Sequence, residues 1–228
     1  MKVRLYTLPA SHPGMAAKRM LEHKGISYTR VDMLPGLSRY IVRALRFDAG
    51  TVPAMVIDGR ERWACRTRLA ALGAGPVTVR PLYHFPLLRD LVVDMAPFVD
   101  RMRAAGAAFA PRPAALPYAE VPSTSPERRD IDPAIECIGC GMCVSACTIV
   151  AHNARFPGPA ALNRLFTLQR DSRDGAAGAR WSVLMSDDAL ARCHGQGNCT
   201  EVCPMGLAPT TSILALRRLA VRRLFGGR

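Results

Sequence analysis

The chain has 228 residues, 49% of them apolar, which is enough for real cores and, on length, for two small domains. Its formal net charge is +13, carried almost entirely by arginine, but no nucleic-acid-binding signature accompanies it and aromatics make up only 6%, so nucleic acid is not the expected partner. An anionic lipid surface or acidic partner subunits account for such a charge as well. There is no apolar run of about 18 residues and no long apolar segment near Met1, so neither a bilayer span nor a secretory signal is expected, and the eight cysteines then fit a reducing compartment.

Residues 1–62 read as alternating strands and helices. Val3–Leu8 predicts a strand, and Pro13–Lys24 an amphipathic helix with Met15, Ala16, Met20 and Leu21 at helical spacing and a stop at Gly25. Tyr28–Met33 predicts a second strand. Leu37–Phe47 predicts a second helix with Ile41, Val42 and Leu45 on its core face. After Thr51-Val52-Pro53-Ala54 come a short strand, Met55–Ile57, and an Asp58-Gly59 hairpin turn.

The strings L-Y-T-L-P-A-S-H-P (5–13), L-E-H-K-G-I-S-Y (21–28) and T-V-P-A-M-V-I-D-G (51–59) resemble the thioredoxin-like N-terminal domain of glutathione transferases. By that resemblance Pro53 is cis, Val52 is a backbone contact for glutathione, and glutathione is a candidate ligand. The position of a C-x-x-C redox pair holds Ser11-His12-Pro13-Gly14, so dithiol chemistry is not expected. Ser11 either assists a thiolate at the helix N-terminus or caps that helix, and the cap is the favoured role. The all-helical second domain of a transferase does not follow.

Within residues 63–103, V-T-V at 77–79 alternates as a strand, and Phe85–Met102 includes a helix broken near Pro97. Residues 104–126, rich in Ala and Pro, read as an extended linker. Residues 127–228 read as a small helical domain, with helices at Gly158–Asp171 and Thr210–Leu224. In the latter, Ile213, Leu216 and Leu219 oppose Arg217, Arg218, Arg222 and Arg223, a pattern shared by membrane-surface helices and by core-packed helices with a solvated basic face.

Seven of the eight cysteines fall in two runs of this last region. Cys137, Cys140, Cys143 and Cys147 have the spacing C-x2-C-x2-C-x3-C, that of two-cluster ferredoxins, in which the fourth cysteine serves the other cluster. The second run repeats the frame as Cys193, Gln196, Cys199 and Cys203. Exchanging the fourth members assigns Cys137, Cys140, Cys143 and Cys203 to a [4Fe-4S] cluster. Cys147, Cys193 and Cys199 are left as a three-thiolate site, read as [3Fe-4S], with Gln196 beside the open corner; a water at that corner, keeping a fourth iron, is the alternative. Structural zinc usually takes separated C-x2-C pairs, and an odd number of cysteines with no secretory signal weakens a disulfide reading.

The strings P-L-Y-H-F-P-L-L-R-D-L-V-V-D-M (81–95), E-R-R-D (127–130), E-C-I-G-C-G (136–141), F-P-G-P-A-A-L (156–162), D-S-R-D (171–174) and C-H-x-x-x-N-C-x-x-V-C-P-x-G-L (193–207) resemble the iron–sulfur subunit of succinate dehydrogenase and fumarate reductase, over roughly residues 63 to 228. The resemblance implies an electron wire between a flavoprotein subunit carrying FAD and a membrane quinone bound with anchor subunits, with the chain peripheral on the cytoplasmic side of a bacterial inner membrane. It places His194, directly after the first cysteine of the second run, near the quinone. The run Cys147-Thr148-Ile149-Val150-Ala151-His152 departs from the family, which often has Pro after that cysteine and a quinone-contacting Trp further on. That leaves menaquinone and ubiquinone both open.

The family also has an L-A-C-K-T string whose cysteine is the fourth ligand of a [2Fe-2S] cluster. Here it reads Trp63-Ala64-Cys65-Arg66-Thr67, and no cysteine precedes Cys65, so the [2Fe-2S] cluster is expected to be absent. The expected fold class is therefore α+β in two domains, a thioredoxin-like α/β domain followed by an all-α helical ferredoxin domain. The expected function is an electron-transfer subunit, with no substrate chemistry of its own and no flavin-binding G-x-G-x-x-G. The competing classes are a glutathione-binding, transferase-like or scaffold protein, which would fold without iron, and another iron–sulfur oxidoreductase subunit.

Overall fold

Two adjacent residues with left-handed backbone, Asp58 (φ 50°) and Gly59 (φ 74°), turn strand β3 (Ala54–Ile57) back on β4 (Arg60–Trp63). Two positive φ angles in a two-residue loop match the twist of an antiparallel pair, and the register runs from Ala54 opposite Trp63 to Ile57 opposite Arg60. Strand β5 (Val79–Arg80) pairs with the other edge of β3. The central strand therefore buries Val56 and Ile57 almost completely.

The chain is described here from a computed structural model, which covers residues 3–7, 12–23, 25–32, 54–73, 75–112 and 120–226. At the N-terminus, β1 (Val3–Thr7), α1 (His12–His23) and β2 (Tyr28–Asp32) form a β-α-β unit. Its strands are parallel, with Val3 opposite Tyr28 and Thr7 opposite Asp32. Parallel strands need a crossover, and the helix supplies it. The expected second helix, Leu37–Phe47, lies outside the described residues, as do Ser11, Val52 and Pro53.

One expected helix is corrected. Residues 85–95 hold a short hairpin, β6 (Leu87–Arg89) with β7 (Val92–Val93), and α2 begins only at Ala96 and runs to Ala104. Pro97 starts this helix rather than breaking it, because a first-turn residue needs no amide donor. The Asp94 carboxylate accepts from the Ala96 amide at 2.8 Å.

From residue 126 the described elements are helices: α3 (Pro126–Ile135), α4 (Met142–Ser145), α5 (Thr148–His152), α6 (Pro159–Arg170), α7 (Trp181–Leu184), α8 (Asn198–Glu201) and α9 (Pro209–Phe225). Helix α6 is the centre. Leu162, Leu165 and Phe166 are buried as their spacing predicts, and Ala160, Ala161, Asn163, Thr167 and Leu168 are buried too. A helix buried on nearly all sides has neighbours all round, and here α3 and α9 supply most of the contact. Buried Asn163 ties the three together, donating to the Ala134 carbonyl at 2.8 Å and accepting from the Ser212 hydroxyl at 2.9 Å. In α9, Ile213 and Leu216 are buried while Val221, Leu224 and Phe225 are exposed, so its first half packs into the core.

A second anchor holds the chain that leaves α2. Asp174 and Arg180 form a buried two-pronged ion pair at 2.5 and 3.0 Å. Arg180 also donates to the carbonyls of Gly106 and Ala108, and Asp174 accepts from the amides of Ala110 and Ala176. Residues 106–112 are thereby strapped to the helices, with Pro111 bridged to Asp174. Burial opposes the charge on Asp174, but the Arg180 hydrogen bonds and the two amides outweigh it and hold its carboxyl below the ordinary range. Replacing Arg180 with Ala leaves a buried carboxylate unpaired, so urea unfolding of the full chain is expected to show a loss of about 3–5 kcal/mol. A loss below about 1 kcal/mol, the worth of an exposed pair, would remove this role.

Candidate metal centre

Each cysteine run folds back through two left-handed glycines. Gly139 and Gly141 have φ 65° and 77° in the first run, and Gly195 and Gly197 have φ 71° and 89° in the second. The two runs share one frame: Cys137, Gly139, Gly141, Cys143 and Cys147 recur 56 residues later (193 − 137) as Cys193, Gly195, Gly197, Cys199 and Cys203, with Gln196 in place of Cys140. Gly141 and Gly197 each cap a one-turn helix, α4 and α8, whose second residue is Cys143 or Cys199. Gly141 is constrained twice over, because a Cβ there would meet the Phe85 ring at 3.0 Å and Met95 at 3.2 Å. The two runs are stitched together where Asn198 Nδ2 donates to the Ala146 carbonyl at 3.3 Å.

The seven cysteines sort into two cavities. Cys137, Cys140, Cys143 and Cys203 line one, walled by Phe98, Ile138, Ala160 and Leu207. Cys147, Cys193 and Cys199 line the other, with His194, Gln196, Phe156 and Ile213. Each cavity thus draws its last thiol from the opposite run. Cys199 is buried, Cys137 is exposed, and the other five are half-buried.

Burial raises the thiols of Cys140, Cys147 and Cys199 above their ordinary value and that of Cys143 well above it. Neighbouring thiols add to the effect: Cys137 and Cys203 act on Cys140, Cys199 and Cys193 on Cys147, and Cys143 feels Cys140, Cys137 and Cys203 of its own set and Cys199 of the other. Backbone amides from Met142 and from Ile149 and Val150 work in the opposite direction at Cys140 and Cys147.

Other groups brace the second cavity. Arg217 of α9 donates to the Leu190 carbonyl at 2.7 and 2.9 Å and to the Cys193 carbonyl. The Thr148 hydroxyl donates to Gln196 Oε1 at 2.8 Å, and the Thr210 hydroxyl lies 3.2 Å from Cys199 Sγ. His194 and Gln196 are exposed on the rim. None of the three bracing residues is signalled by the sequence, since Arg217 is one arginine among many and threonine spacing has no ligand code. A larger cleft lies beside this region, lined by Glu61, His84, Ser145, His152 and Glu201. It contains no cysteine; the Ser145 hydroxyl donates to Glu61 there and accepts from the Tyr83 amide.

The donor chemistry suits iron–sulfur clusters. A cubane asks each thiolate to hold a different iron, and the thiols are divided between two cavities as four and three. Apolar walls and left-handed glycine loops give the thiols that separated, inward arrangement.

Comparison with known proteins agrees with this chemistry. Residues 133–207 match the 4Fe-4S dicluster domain family. The chain is 34% identical to the fumarate reductase iron-sulfur subunit of Mycobacterium tuberculosis over 70% of this chain and 65% of that protein. It is 34% identical to the succinate dehydrogenase iron-sulfur subunit of Paracoccus denitrificans over 75% and 66%, and 32% identical to that of Bacillus subtilis over 76% and 70%. The chain belongs to the succinate dehydrogenase/fumarate reductase iron–sulfur subunit family. The match spans just under two thirds of the first two relatives. A chain of the Mycobacterium smegmatis Sdh1 complex in the apo form superposes with a TM-score of 0.68 at 25% identity, covering 83% of this chain and 85% of that one.

One expectation about this family member is overturned. Residues 46–100 match the 2Fe-2S iron-sulfur cluster binding domain family, and this corrects the expectation that the [2Fe-2S] element is absent. Cysteine counting upstream of Cys65 misled the reading, because the domain is carried by the β3–β4–β5 sheet, the β6–β7 hairpin and α2 as much as by its thiols. The match begins at residue 46, ahead of the expected domain boundary at 62. Cys65 is the cysteine of that stretch and is exposed in a 3-10 turn after β4.

The raised thiols set a pH dependence for the metal-free chain. A thiol whose folded value exceeds its unfolded value stabilises the fold fully below about pH 8.5, the ordinary cysteine value, and loses that contribution as pH rises through the folded value. Stability of the metal-free chain, followed by urea titration, is therefore expected to fall above about pH 8.5. Iron loading releases protons and is expected to proceed further at higher pH over the same window. Loading independent of pH from about 7 to 9 would mean the thiols are already ionised.

Proposed function

We propose that this chain is the electron-transfer subunit of a succinate dehydrogenase or fumarate reductase complex. It holds a [4Fe-4S] cluster on Cys137, Cys140, Cys143 and Cys203 and a [3Fe-4S] cluster on Cys147, Cys193 and Cys199. The observation that carries this reading is the partition of seven thiols between two cavities, each completed by the other run's last cysteine. When bound, the clusters supply one-electron carriers. The chain's own residues place them: glycine turns aim the thiols, α6 and α9 fix both loops, and Phe98, Phe156, Leu207 and Ile213 exclude water. Adjacent cavities under one helical layer are what short-range transfer between carriers requires, and the residues act as ligands, not as acid–base catalysts.

The partners that follow from the family are a flavoprotein subunit with FAD and membrane anchor subunits with menaquinone or ubiquinone. The exposure of His194 and Gln196 on the rim of the three-thiol cavity supports a quinone side there. Among the described residues no helix is long and apolar enough to cross a membrane. Peripheral attachment at the cytoplasmic face of the inner membrane rests on the family reading alone. The parallel β1–α1–β2 unit supports a thioredoxin-like reading of the segment ahead of residue 46.

Iron and acid-labile sulfide analysis with EPR on the anaerobically purified chain tests this reading. Four plus three, about seven irons, belong to the two proposed clusters, and two more would report a [2Fe-2S] group. Cys203→Ser is expected to abolish the [4Fe-4S] signal and leave that of the oxidised three-iron cluster. Loss of the three-iron signal instead would overturn the exchange of fourth thiols, and zinc without sulfide would overturn the electron-transfer reading.

A further inference from the structure

Two threonine hydroxyls stand behind Cys199. Thr200 follows it on α8, and Thr210 is the second residue of α9. Thr210 Oγ1 lies 3.2 Å from Cys199 Sγ, Thr200 Oγ1 donates to Thr210 Oγ1 at 3.1 Å, and the Thr210 amide donates to Thr200 Oγ1 at 3.2 Å. That amide belongs to the first turn of α9, where no intrahelical carbonyl is available to it.

The direction of the chain follows from counting hydrogens. A hydroxyl has one hydrogen and can accept as well. Thr200 gives its hydrogen to Thr210 and takes the Thr210 amide in return. Thr210 Oγ1, already an acceptor from Thr200, keeps its own hydrogen for the sulfur. A cysteine thiolate has no hydrogen to give, so as a metal ligand Cys199 can only accept. Among the described residues Cys199 is the one cysteine whose sulfur meets a hydrogen-bonding side chain, whereas backbone amides approach both Cys140 and Cys147.

We propose that Thr210, oriented by Thr200, donates a hydrogen bond to the Cys199 sulfur and raises the reduction potential of the cluster in the three-thiol cavity relative to its four-thiol neighbour. This rests on the reading of Cys147, Cys193 and Cys199 as cluster ligands. Reduction adds negative charge to the cluster and its sulfurs. A fixed donor stabilises that state more than the oxidised one, so hydrogen bonds to sulfur set the potential. Cys199 is only 8% exposed, and little solvent competes for the bond. Thr210 is a positioning and tuning residue that makes the three-thiol site more readily reduced than it would be without the bond.

The test is an EPR-monitored redox titration of the anaerobically purified full chain. The wild-type chain must first show the oxidised three-iron signal; its absence would sink the cluster assignment itself and is separable from the threonine role. Thr210→Val is expected to weaken reduction of the three-thiol cluster about tenfold, about 59 mV for a one-electron couple, with the four-thiol cluster unmoved and Thr210→Ser restoring the wild-type value. An unchanged potential, or an equal shift in both clusters, would overturn the proposal. If Thr210→Val fails to retain the cluster, Thr200→Val decides. It leaves the Thr210 hydroxyl in place but releases its orientation, so a smaller shift in the same direction supports the proposal and no shift overturns it.

Discussion

The loops that carry the cysteines depend on backbone that only glycine adopts without strain. At Gly139 and Gly141, and again at Gly195 and Gly197, a left-handed residue reverses the chain within three positions. That reversal turns thiols spaced along a loop inward around one cavity. It also leaves loops that cannot hold themselves up: α4 and α8 are single turns, too short to be stable alone. Their rigidity is borrowed from α6, packed between α3 and α9 around Asn163. The site is thus a surface feature in sequence and a core feature in energetics.

The same arrangement explains why the thiols are poised for metal and poorly suited to staying ionised without it. Apolar walls raise Cys140, Cys143, Cys147 and Cys199, and each thiol disfavours charge on the next. Iron bound there would reverse that balance by supplying the positive charge that the cavity lacks. Polar support arrives from outside the walls, through the Arg217 guanidinium on the Cys193 loop and the threonine hydroxyls behind Cys199. Arg217 and Thr210 lie on α9 and Thr200 on α8, and together they give the second cavity a more polar setting than the first.

Around this centre the chain is assembled by straps. Asp174 and Arg180 gather residues 106–112 onto the helices, and Ser145 ties α4 to Glu61 of β4 and to the Tyr83 backbone. These contacts link the sheet of residues 54–80 to the cysteine loops, so the region matching the 2Fe-2S family and the region matching the 4Fe-4S dicluster family share an interface.

The division between what composition and pattern determined and what folding decided follows the range of the forces involved. Cysteine spacing, the Asp58-Gly59 turn, and helices α6 and α9 to within a residue or so at their ends were legible because each rests on local chemistry: ligand number, φ preference and helical periodicity. The β1–α1–β2 order was legible for the same reason, and the structure adds that its strands pair parallel. The hairpin at 87–93 was not, because its apolar residues at that length satisfy helix and strand alike. The element matching the 2Fe-2S family was misjudged because thiol number, a local quantity, was taken for domain identity, which is a property of the whole sheet and hairpin assembly. The grouping of the thiols was already expected from their spacing, but that Arg180 is buried against Asp174 and reaches the Gly106 carbonyl, and that Thr210 stands behind Cys199, were settled only by tertiary packing. Those contacts span 6 to 74 residues of sequence, and side chains so placed carry no local pattern that announces their partners; only the packing of the helices brings them within hydrogen-bonding reach.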